Sequence, residues 1–390
     1  MRLLFIILLF LFSILTYLYY RFICTLSPKK HFRLIYLACL LGLICLFFLT
    51  LSLKRAGISS LGTDILSWSS YVSLGFLSFL TSILLLRDGL LLWIKLASVL
   101  INNKKTNNVR PKQDRRFFLS ATATSLLAGG AISLTGIGIF LAKKTPEVKK
   151  VMLPVKNLPK DLEGFSIVQL SDIHLSSTIK KRFLSKVVDE VNRLKPDVIA
   201  ITGDLADGVV DVLGDDAEPL GDLVSKHGKF FVTGNHEYYF NAEQWIDKVE
   251  SLGFKALIDS HELIHYNNSK ILMAGIADYR AKRFINSHKS SPEKAIEGAP
   301  SVDVKILLAH QPKSVFKASE AGFDIQLSGH THGGQFFPWQ MTIGLDQPYL
   351  AGLYKHDDMM IYVSRGTGYW GPPIRLGAPS EITLLKLTAG

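Results

Sequence analysis

The chain has 390 residues and a formal net charge of +11, which is enough length for a membrane region and one full globular domain. The charge is divided unequally, because residues 1–144 carry 17 Lys and Arg against three Asp and Glu, whereas residues 145–390 carry 27 against 30. The net charges of the two parts are therefore +14 and −3. The second part has no basic surplus to neutralise a phosphate backbone, so no nucleic-acid partner is predicted from charge.

The cysteines lie only in the first part of the chain, at Cys24, Cys39 and Cys45. A disulfide framework or a thiolate metal site is thereby excluded from residues 145–390. Ten of the 11 histidines lie in that second part. The histidines therefore indicate metal binding or acid–base chemistry on imidazole in residues 145–390.

Four stretches are apolar over about 20 residues, the length that crosses a bilayer. They are roughly 3–20, 33–53, 67–86 and 117–142. The first could be a cleaved signal peptide, but the CTLSPKK that follows lacks a small-residue cleavage site, which favours an anchor. Residues 89–101 either continue the third span or lie along the interface. We divide the chain into a membrane region, 1–144, with about four transmembrane helices, and a second domain, 145–390.

Lys and Arg in the short connections set the orientation of these predicted helices. The connections after the first span and before the fourth are rich in both, whereas only Lys54 and Arg55 lie between the second and third. With the basic connections inside, residues 145–390 face the outside of the cytoplasmic membrane. Arg115-Arg116 before a mild apolar run has two open interpretations: an internal twin-arginine export signal, or the cytoplasmic end of an ordinary helix.

After Lys144 the chain alternates between strand-like and helix-like segments. Amphipathic helices are predicted at 178–194 and 242–252. Strands are predicted at 165–170, 197–202, 229–233, 270–275, 304–309, 324–328, 359–364 and 381–387. Strands this apolar that alternate with helices predict an α/β fold whose sheets are covered on their outer faces by helices.

Residue types that bind metals follow five of the predicted strands directly. In chain order they are Asp172 with His174, Asp204, Asn235 with His236, His310, and His330 with His332. The carboxyl ends of strands share one edge in layered α/β folds, so these side chains can converge. Two divalent ions need a bridging carboxylate, imidazole and carboxylate ligands and an open position for water, and this set supplies all of the ligand types.

The ordered motifs D-x-H, G-D, G-N-H-E, a lone His and G-H-x-H resemble the calcineurin-like metallophosphoesterase family over roughly residues 160–390. The later GHTHGGQ and SRGTGYWGPP are similar to bacterial membrane-anchored members. The resemblance implies a four-layer αββα sandwich after the transmembrane helices. It also implies hydrolysis of phosphate mono- or diesters by metal-hydroxide attack, with two divalent ions, for which Mn, Zn and Fe are the candidates.

The resemblance also implies a role for each matching residue. One ion would be held by Asp172, His174 and His332, and the other by Asn235, His310 and His330, with Asp204 bridging the two. His236 would not bind metal; it would face the substrate and protonate the leaving oxygen as the catalytic residue.

Other residues near these motifs have two interpretations each. Arg365 could contact a phosphate oxygen of the substrate or hold the fold. Asp207 and Glu237 are expected to orient neighbouring groups or to hold turns. The aromatic clusters 336–339 and 369–373 either fill core and turns or form an apolar lip that favours lipid-linked phosphate esters.

The expected partners are a phosphoester substrate, with lipid-linked esters among the candidates, and the membrane. Two alternatives to a general phosphoesterase stay open. One is a hydrolase of a lipid- or nucleotide-linked pyrophosphate of the UDP-diacylglucosamine type, which a reversed orientation would favour. The other is a non-catalytic binding module, a use that normally accompanies loss of ligand residues.

Overall fold

The computed structural model describes residues 12–26, 29–101 and 113–390. By its internal contacts the chain divides into two compact units. Of the described residues, one unit comprises 12–26, 29–51, 66–101 and 113–138, and the other comprises 52–65 and 139–390.

Long apolar helices dominate the N-terminal part of the described chain. They are α1 (Lys30–Arg55), α2 (Leu61–Ile101) and α3 (Gln113–Ala142), preceded by a π-helical turn at Tyr19–Ile23 and a helical turn at Cys24–Leu26. Lys30–Lys54 and Phe117–Ala142 are long and apolar enough to cross a membrane.

These two helices contain the spans predicted at 33–53 and 117–142. The span predicted at 67–86 forms part of α2, which continues as one helix through residues 89–101. Half of the span predicted at 3–20, residues 3–11, lies outside the described residues.

The described strands of the second unit form two six-stranded sheets. In chain order the strands are β1 (Glu147–Val155), β2 (Ser166–Leu170), β3 (Val198–Thr202), β4 (Lys229–Val232), β5 (Lys255–Ala256), β6 (Ser260–Tyr266), β7 (Ser269–Gly275), β8 (Val304–Leu308), β9 (Ile325–Ser328), β10 (Gly352–His356), β11 (Met359–Val363) and β12 (Glu381–Ala389). The first sheet has the order β1-β12-β2-β3-β4-β5, and the second has the order β10-β11-β9-β8-β7-β6. Neighbours from β2 to β5 are parallel, as are β7, β8, β9 and β11.

Helices lie between the strands along the chain of the second unit. They are α4 (Lys181–Leu194), α5 (Val210–Ala217), α6 (Asn235–Tyr239), α7 (Ala242–Ser251), α8 (Pro292–Ala295), α9 (Val315–Glu320) and α10 (Trp339–Ile343), with 3₁₀ turns at Lys160–Leu162, Glu218–Asp222, Ala281–Arg283, Pro312–Ser314 and His332–Gly334. All eight predicted strands and both predicted helices are present, with ends that differ by at most three residues.

The packing has four layers. One apolar core lies between the sheets and joins residues such as Ile167 of β2 to Ile306 of β8. A second core packs the outer face of the first sheet against α4, α5 and α7, and a third packs the second sheet against α8 and α9. Burial on both faces explains the continuous apolar runs of the central strands. The predicted αββα sandwich is thus confirmed.

Candidate metal centre

The chain turns sharply at the candidate ligands, directly after the strands that precede them. Five of the seven predicted ligands have positive φ: Asp172 (53°), His174 (53°), Asp204 (53°), His330 (69°) and His332 (52°). This backbone region is uncommon for residues other than glycine and costs of order 1–3 kcal/mol per residue. The turns direct side chains that follow strands of both sheets into one space. Such backbone strain is commonly found at functional sites.

Two glycines allow the strand-end loops to approach each other closely. A Cβ at Gly203, which has φ of +87°, would overlap the backbone of Gly234. A Cβ at Gly329 would overlap the carboxylate of Asp172. Any side chain at either position would force the candidate ligands apart.

The first group of candidate ligands comprises Asp172, His174 and His332, whose ligating atoms all lie within 4.8 Å of one another. His332 Nε2 is 3.4 Å from Asp172 Oδ1 and 3.0 Å from His174 Nε2. All three residues are buried. These are the residues predicted for one ion.

The second group comprises Asp204, His310 and His330, also within 4.8 Å. His310 Nε2 lies 3.2 Å from Asp204 Oδ2 and 3.2 Å from His330 Nδ1. The same Asp204 Oδ2 is 3.7 Å from His174 Nε2 of the first group. One carboxylate oxygen therefore faces both groups, as a bridging ligand must.

Asn235 tests whether the site suits a cation. Its side chain is 7% exposed, and its Oδ1 has no hydrogen-bond partner among the described residues. A buried polar atom left unsatisfied costs about 1–3 kcal/mol. An amide oxygen is a good ligand for a divalent ion, so the orphaned atom fits the predicted role of Asn235.

His236 lies beside both groups. Its Nδ1 is 2.7 Å from Asp207 Oδ1, and its Nε2 is 3.9 Å from Asp204 Oδ2. Burial lowers the pKa of His236, but Asp204 and Asp207 outweigh it and raise that pKa to about 9. The imidazole is therefore suited to carry a proton at neutral pH.

Asp207 and Glu237 lie where they can orient the candidate ligands, as expected. Asp207 Oδ1 also accepts a hydrogen bond from His174 Nδ1 at 2.7 Å. Glu237 accepts the backbone N–H groups of Asp204, Leu205 and Gly234, at 3.0, 2.7 and 2.6 Å. A single buried carboxylate thereby joins the loop after β3 to the loop after β4.

Comparison with known proteins identifies the family. A family model described as calcineurin-like phosphoesterase matches residues 165–334. A transmembrane protein with metallophosphoesterase domain from Danio rerio is 41% identical over 258 residues, which cover 64% of this chain and 59% of that protein. An uncharacterized metallophosphoesterase from Campylobacter jejuni is 36% identical, covering 66% of this chain and 69% of the relative. One from Aquifex aeolicus is 32% identical, covering 62% of this chain and 91% of the relative.

The chain belongs to the calcineurin-like metallophosphoesterase family. It spans about three fifths of the length of two vertebrate relatives, both of which are named transmembrane proteins. The metallophosphoesterase domain therefore carries clustered His and Asp residues able to bind metal ions, in a chain with apolar helices that are candidate membrane anchors.

The predicted substrate contact, Arg365, is paired with a residue of the fold. Its Nη1 lies 3.3 Å from Glu381 Oε2, and its backbone N–H donates to Glu381 Oε1 at 3.2 Å. This partner favours the fold-holding interpretation of Arg365. Its contact with substrate stays a prediction.

Arg375 is a residue that the sequence interpretation missed. Its guanidinium is 1% exposed and donates to the backbone carbonyls of His332 at 2.9 Å, Arg365 at 2.7 Å and Gly368 at 3.0 Å. Its Nη2 also lies 2.9 Å from His332 Nδ1. Burial and then the Arg375 charge hold the pKa of His332 well below its usual value, so the imidazole is neutral. Nothing in the sequence distinguishes Arg375 from Arg365.

Arg375→Met is expected to lower metal affinity by about 10- to 100-fold, because it releases the loop that carries His332. Metal content per chain and the rise in Tm on adding Mn²⁺ measure this effect. A residue that merely stabilises the fold would lower Tm equally with and without metal. An unchanged metal-dependent rise would therefore contradict a positioning role for Arg375.

The two aromatic clusters meet beside the metal centre. The side chain of Gln335 donates to the carbonyls of Trp370 at 2.9 Å and Pro372 at 3.0 Å, and accepts from Trp370 N at 2.9 Å. Phe336 and Tyr369 are buried, whereas Phe337, Trp339 and Trp370 are exposed. The Trp370 ring is 5.9 Å from the His236 ring, edge to face. Each cluster thus divides into a core part and an exposed part.

Proposed function

We propose that this metallophosphoesterase hydrolyses phosphate monoesters or diesters at a dinuclear centre. The observation that carries the proposal is Asp204, a single buried carboxylate that faces both groups of candidate ligands. A binding module would not require this arrangement. None of the seven ligand positions has lost its ligand type, which also argues against the non-catalytic alternative.

In the proposed centre Asp172, His174 and His332 would hold one divalent ion, Asn235, His310 and His330 would hold the second, and Asp204 would be shared by the two. Two such ions activate water and neutralise charge on the phosphoryl group, with Mn, Zn and Fe all suited to the donor set. Asp207 holds the His174 ring through Nδ1, which leaves Nε2 directed to the centre.

His236 supplies the proton that the leaving oxygen needs. Its ring is held by Asp207 on one side, and its side chain is 12% exposed, so it borders the opening of the site. A protonated imidazole here can also donate to a phosphoryl oxygen. Both acts stabilise charge that develops as the ester bond breaks.

The test is turnover of bis(p-nitrophenyl) phosphate by the purified full chain with Mn²⁺, Zn²⁺ or Fe²⁺, followed by chelation. We expect activity that chelator abolishes and added metal restores. Folded protein that is inactive with all three metals and with mono- and diesters would favour a binding module.

For the location we infer a multi-pass protein of the cytoplasmic membrane with its catalytic domain outside. The candidate anchor helices and the basic connections of residues 1–144 support this topology. A reporter fused after Gly390 should be active only outside the cytoplasm. Activity only inside would reverse the topology and favour a cytoplasmic nucleotide-linked pyrophosphate as substrate.

The exposed aromatic side chains support lipid-linked phosphate esters, including pyrophosphates, as substrates. We expect Trp339→Ala with Trp370→Ala to lower kcat/KM about tenfold or more on a lipid phosphate, because the loss of each ring removes apolar contact with an acyl chain. A small chromogenic ester should lose far less. Phe316→Ala, which removes an exposed aromatic ring from α9, is the control. Equal losses on both substrates would exclude an apolar lip.

A further inference from the structure

A basic recess lies beside the metal centre, and no step proposed above uses it. It is a cavity of about 580 Å³, within the range of small-ligand sites. It is formed by the loops after β7 and β8 and by the segment after α10. Its lining residues are Tyr279, Arg280, Lys282, Arg283, Lys313 and Asp346.

The recess is connected to the candidate ligands by buried hydrogen bonds. Gln311, the residue after His310, donates to Asp278 Oδ2 at 2.7 Å. The backbone N–H of Asp278 in turn donates to Thr233 Oγ1, in the loop after β4, at 3.3 Å. Lys313 is three residues from His310, a chain distance of at most about 11 Å. The recess and the metal centre are thus neighbouring parts of one surface.

The charges on the recess walls are arranged around one carboxylate. Lys313 Nζ is 2.9 Å from both carboxylate oxygens of Asp346 and lies 5.1 Å from the centre of the Tyr279 ring. Arg280 Nη2 is 3.7 Å from Asp346 Oδ2. Asp346 thereby fixes two cationic side chains on the recess wall and neutralises one of their charges.

The other two cationic side chains of the recess are unpaired. Lys282 and Arg283 are exposed and form no ion pair with any residue that the structure describes. Four cations against one carboxylate leave the recess at +3, although residues 145–390 together carry −3. Such a local surplus attracts anions, and a guanidinium can bind two phosphate oxygens at once.

We propose that this recess binds a second phosphate group of the substrate, one that is not cleaved. The substrate would then be a phosphate ester that carries a further phosphate, on a soluble molecule or on a lipid headgroup. The inference deepens the proposed function and rests on it, because the cleaved phosphate occupies the metal centre. Lys282 and Arg283 determine the preference for the doubly phosphorylated substrate.

The test compares thymidine 3′-(p-nitrophenyl phosphate) with and without a 5′-phosphate, using the full chain in detergent. Both substrates release p-nitrophenol, and they differ by the single phosphate. We expect kcat/KM to be about tenfold higher with the 5′-phosphate. Lys282→Gln with Arg283→Gln should abolish this preference and leave the rate on the other substrate unchanged.

The matched control is Arg182→Gln with Lys186→Gln, which removes the same charge from exposed residues of α4 and should keep the preference. Competition by dispersed phosphatidic acid but not by glycerol 3-phosphate would assign the second phosphate to a lipid. The proposal would be overturned if the wild type showed no preference for the 5′-phosphorylated substrate and no competition by phosphatidic acid. It would also be overturned if the Lys282/Arg283 variant kept the preference.

Failure of the proposed function is separable from failure of this inference. If neither ester turns over, equilibrium binding of thymidine 3′,5′-bisphosphate and thymidine 3′-phosphate to the same proteins tests the recess alone. Tighter binding of the bisphosphate, lost in the Lys282/Arg283 variant, supports it. Equal binding of the two contradicts it.

Discussion

Asp204→Asn is expected to lower kcat/KM for a phosphate diester by on the order of 10³. The carboxylate Oδ2 lies 3.2 Å from His310 Nε2 and 3.7 Å from His174 Nε2, one from each candidate ligand group. A neutral amide has a single acceptor oxygen and no charge to share between two ions. The backbone N–H of His236 donates a hydrogen bond to Asp204 Oδ1 at 2.9 Å. The amide oxygen of Asn can still accept this bond, so the fold should persist.

The measurement combines steady-state kinetics, metal content and thermal unfolding of the Asp204→Asn chain. Metal content should fall below two ions per chain while circular dichroism stays that of the wild type. Asp215→Asn makes the same chemical change at an exposed position and should alter none of these quantities. An Asp204→Asn chain as active as wild type would reject the proposed centre.

His236→Ala is expected to lower kcat by about 10²–10³ on esters with an alkyl leaving group. An alkoxide is a poor leaving group and must be protonated as the bond breaks, whereas p-nitrophenolate leaves without help. The loss on p-nitrophenyl esters should therefore be less than about tenfold. Asp204 and Asp207 raise the pKa of His236 to about 9, as the proposed role of general acid requires.

The dependence on the leaving group is the decisive readout for His236. It is measured on a series of aryl and alkyl esters of one phosphate, for wild type and for His236→Ala and His236→Asn. A general acid gives a steeper dependence of rate on leaving-group pKa in the variants. Parallel lines with equal losses would assign His236 to orienting the substrate instead.

The four strands that the sequence patterns did not predict all lie at the edges of the sheets. They are β1 and β5 in the first sheet, and β10 and β6 in the second. Most residues of β1 and β6 are half-exposed or exposed, and β5 has only two residues. An edge strand is covered less completely than a central one and often carries charged residues, such as Lys149 and Lys150 of β1, that discourage pairing with other chains. The continuous apolar run that predicted the central strands is therefore missing at the edges.

The predicted membrane region shows another limit of local patterns. Hydropathy left open whether residues 89–101 continue the third span or lie along the interface, and in the structure α2 continues to Ile101. Hydropathy measures how apolar a segment is, whereas the helix continues as long as each residue tolerates helical backbone and no proline or glycine pair stops it. Leu, Trp, Ile, Lys and Ala in residues 89–101 all tolerate it.

The sequence by itself determined the ligand types, their order and their positions after strands, because both strand periodicity and metal-ligand chemistry are local properties. Only the tertiary structure decided which groups share a space. It brought Asp207 to His174 and His236, Arg375 to His332, and Lys282 and Arg283 to a recess near His310. These pairs are separated by 29 to 43 residues or lie on different loops, and their contacts depend on sheet order and loop geometry that no local pattern records.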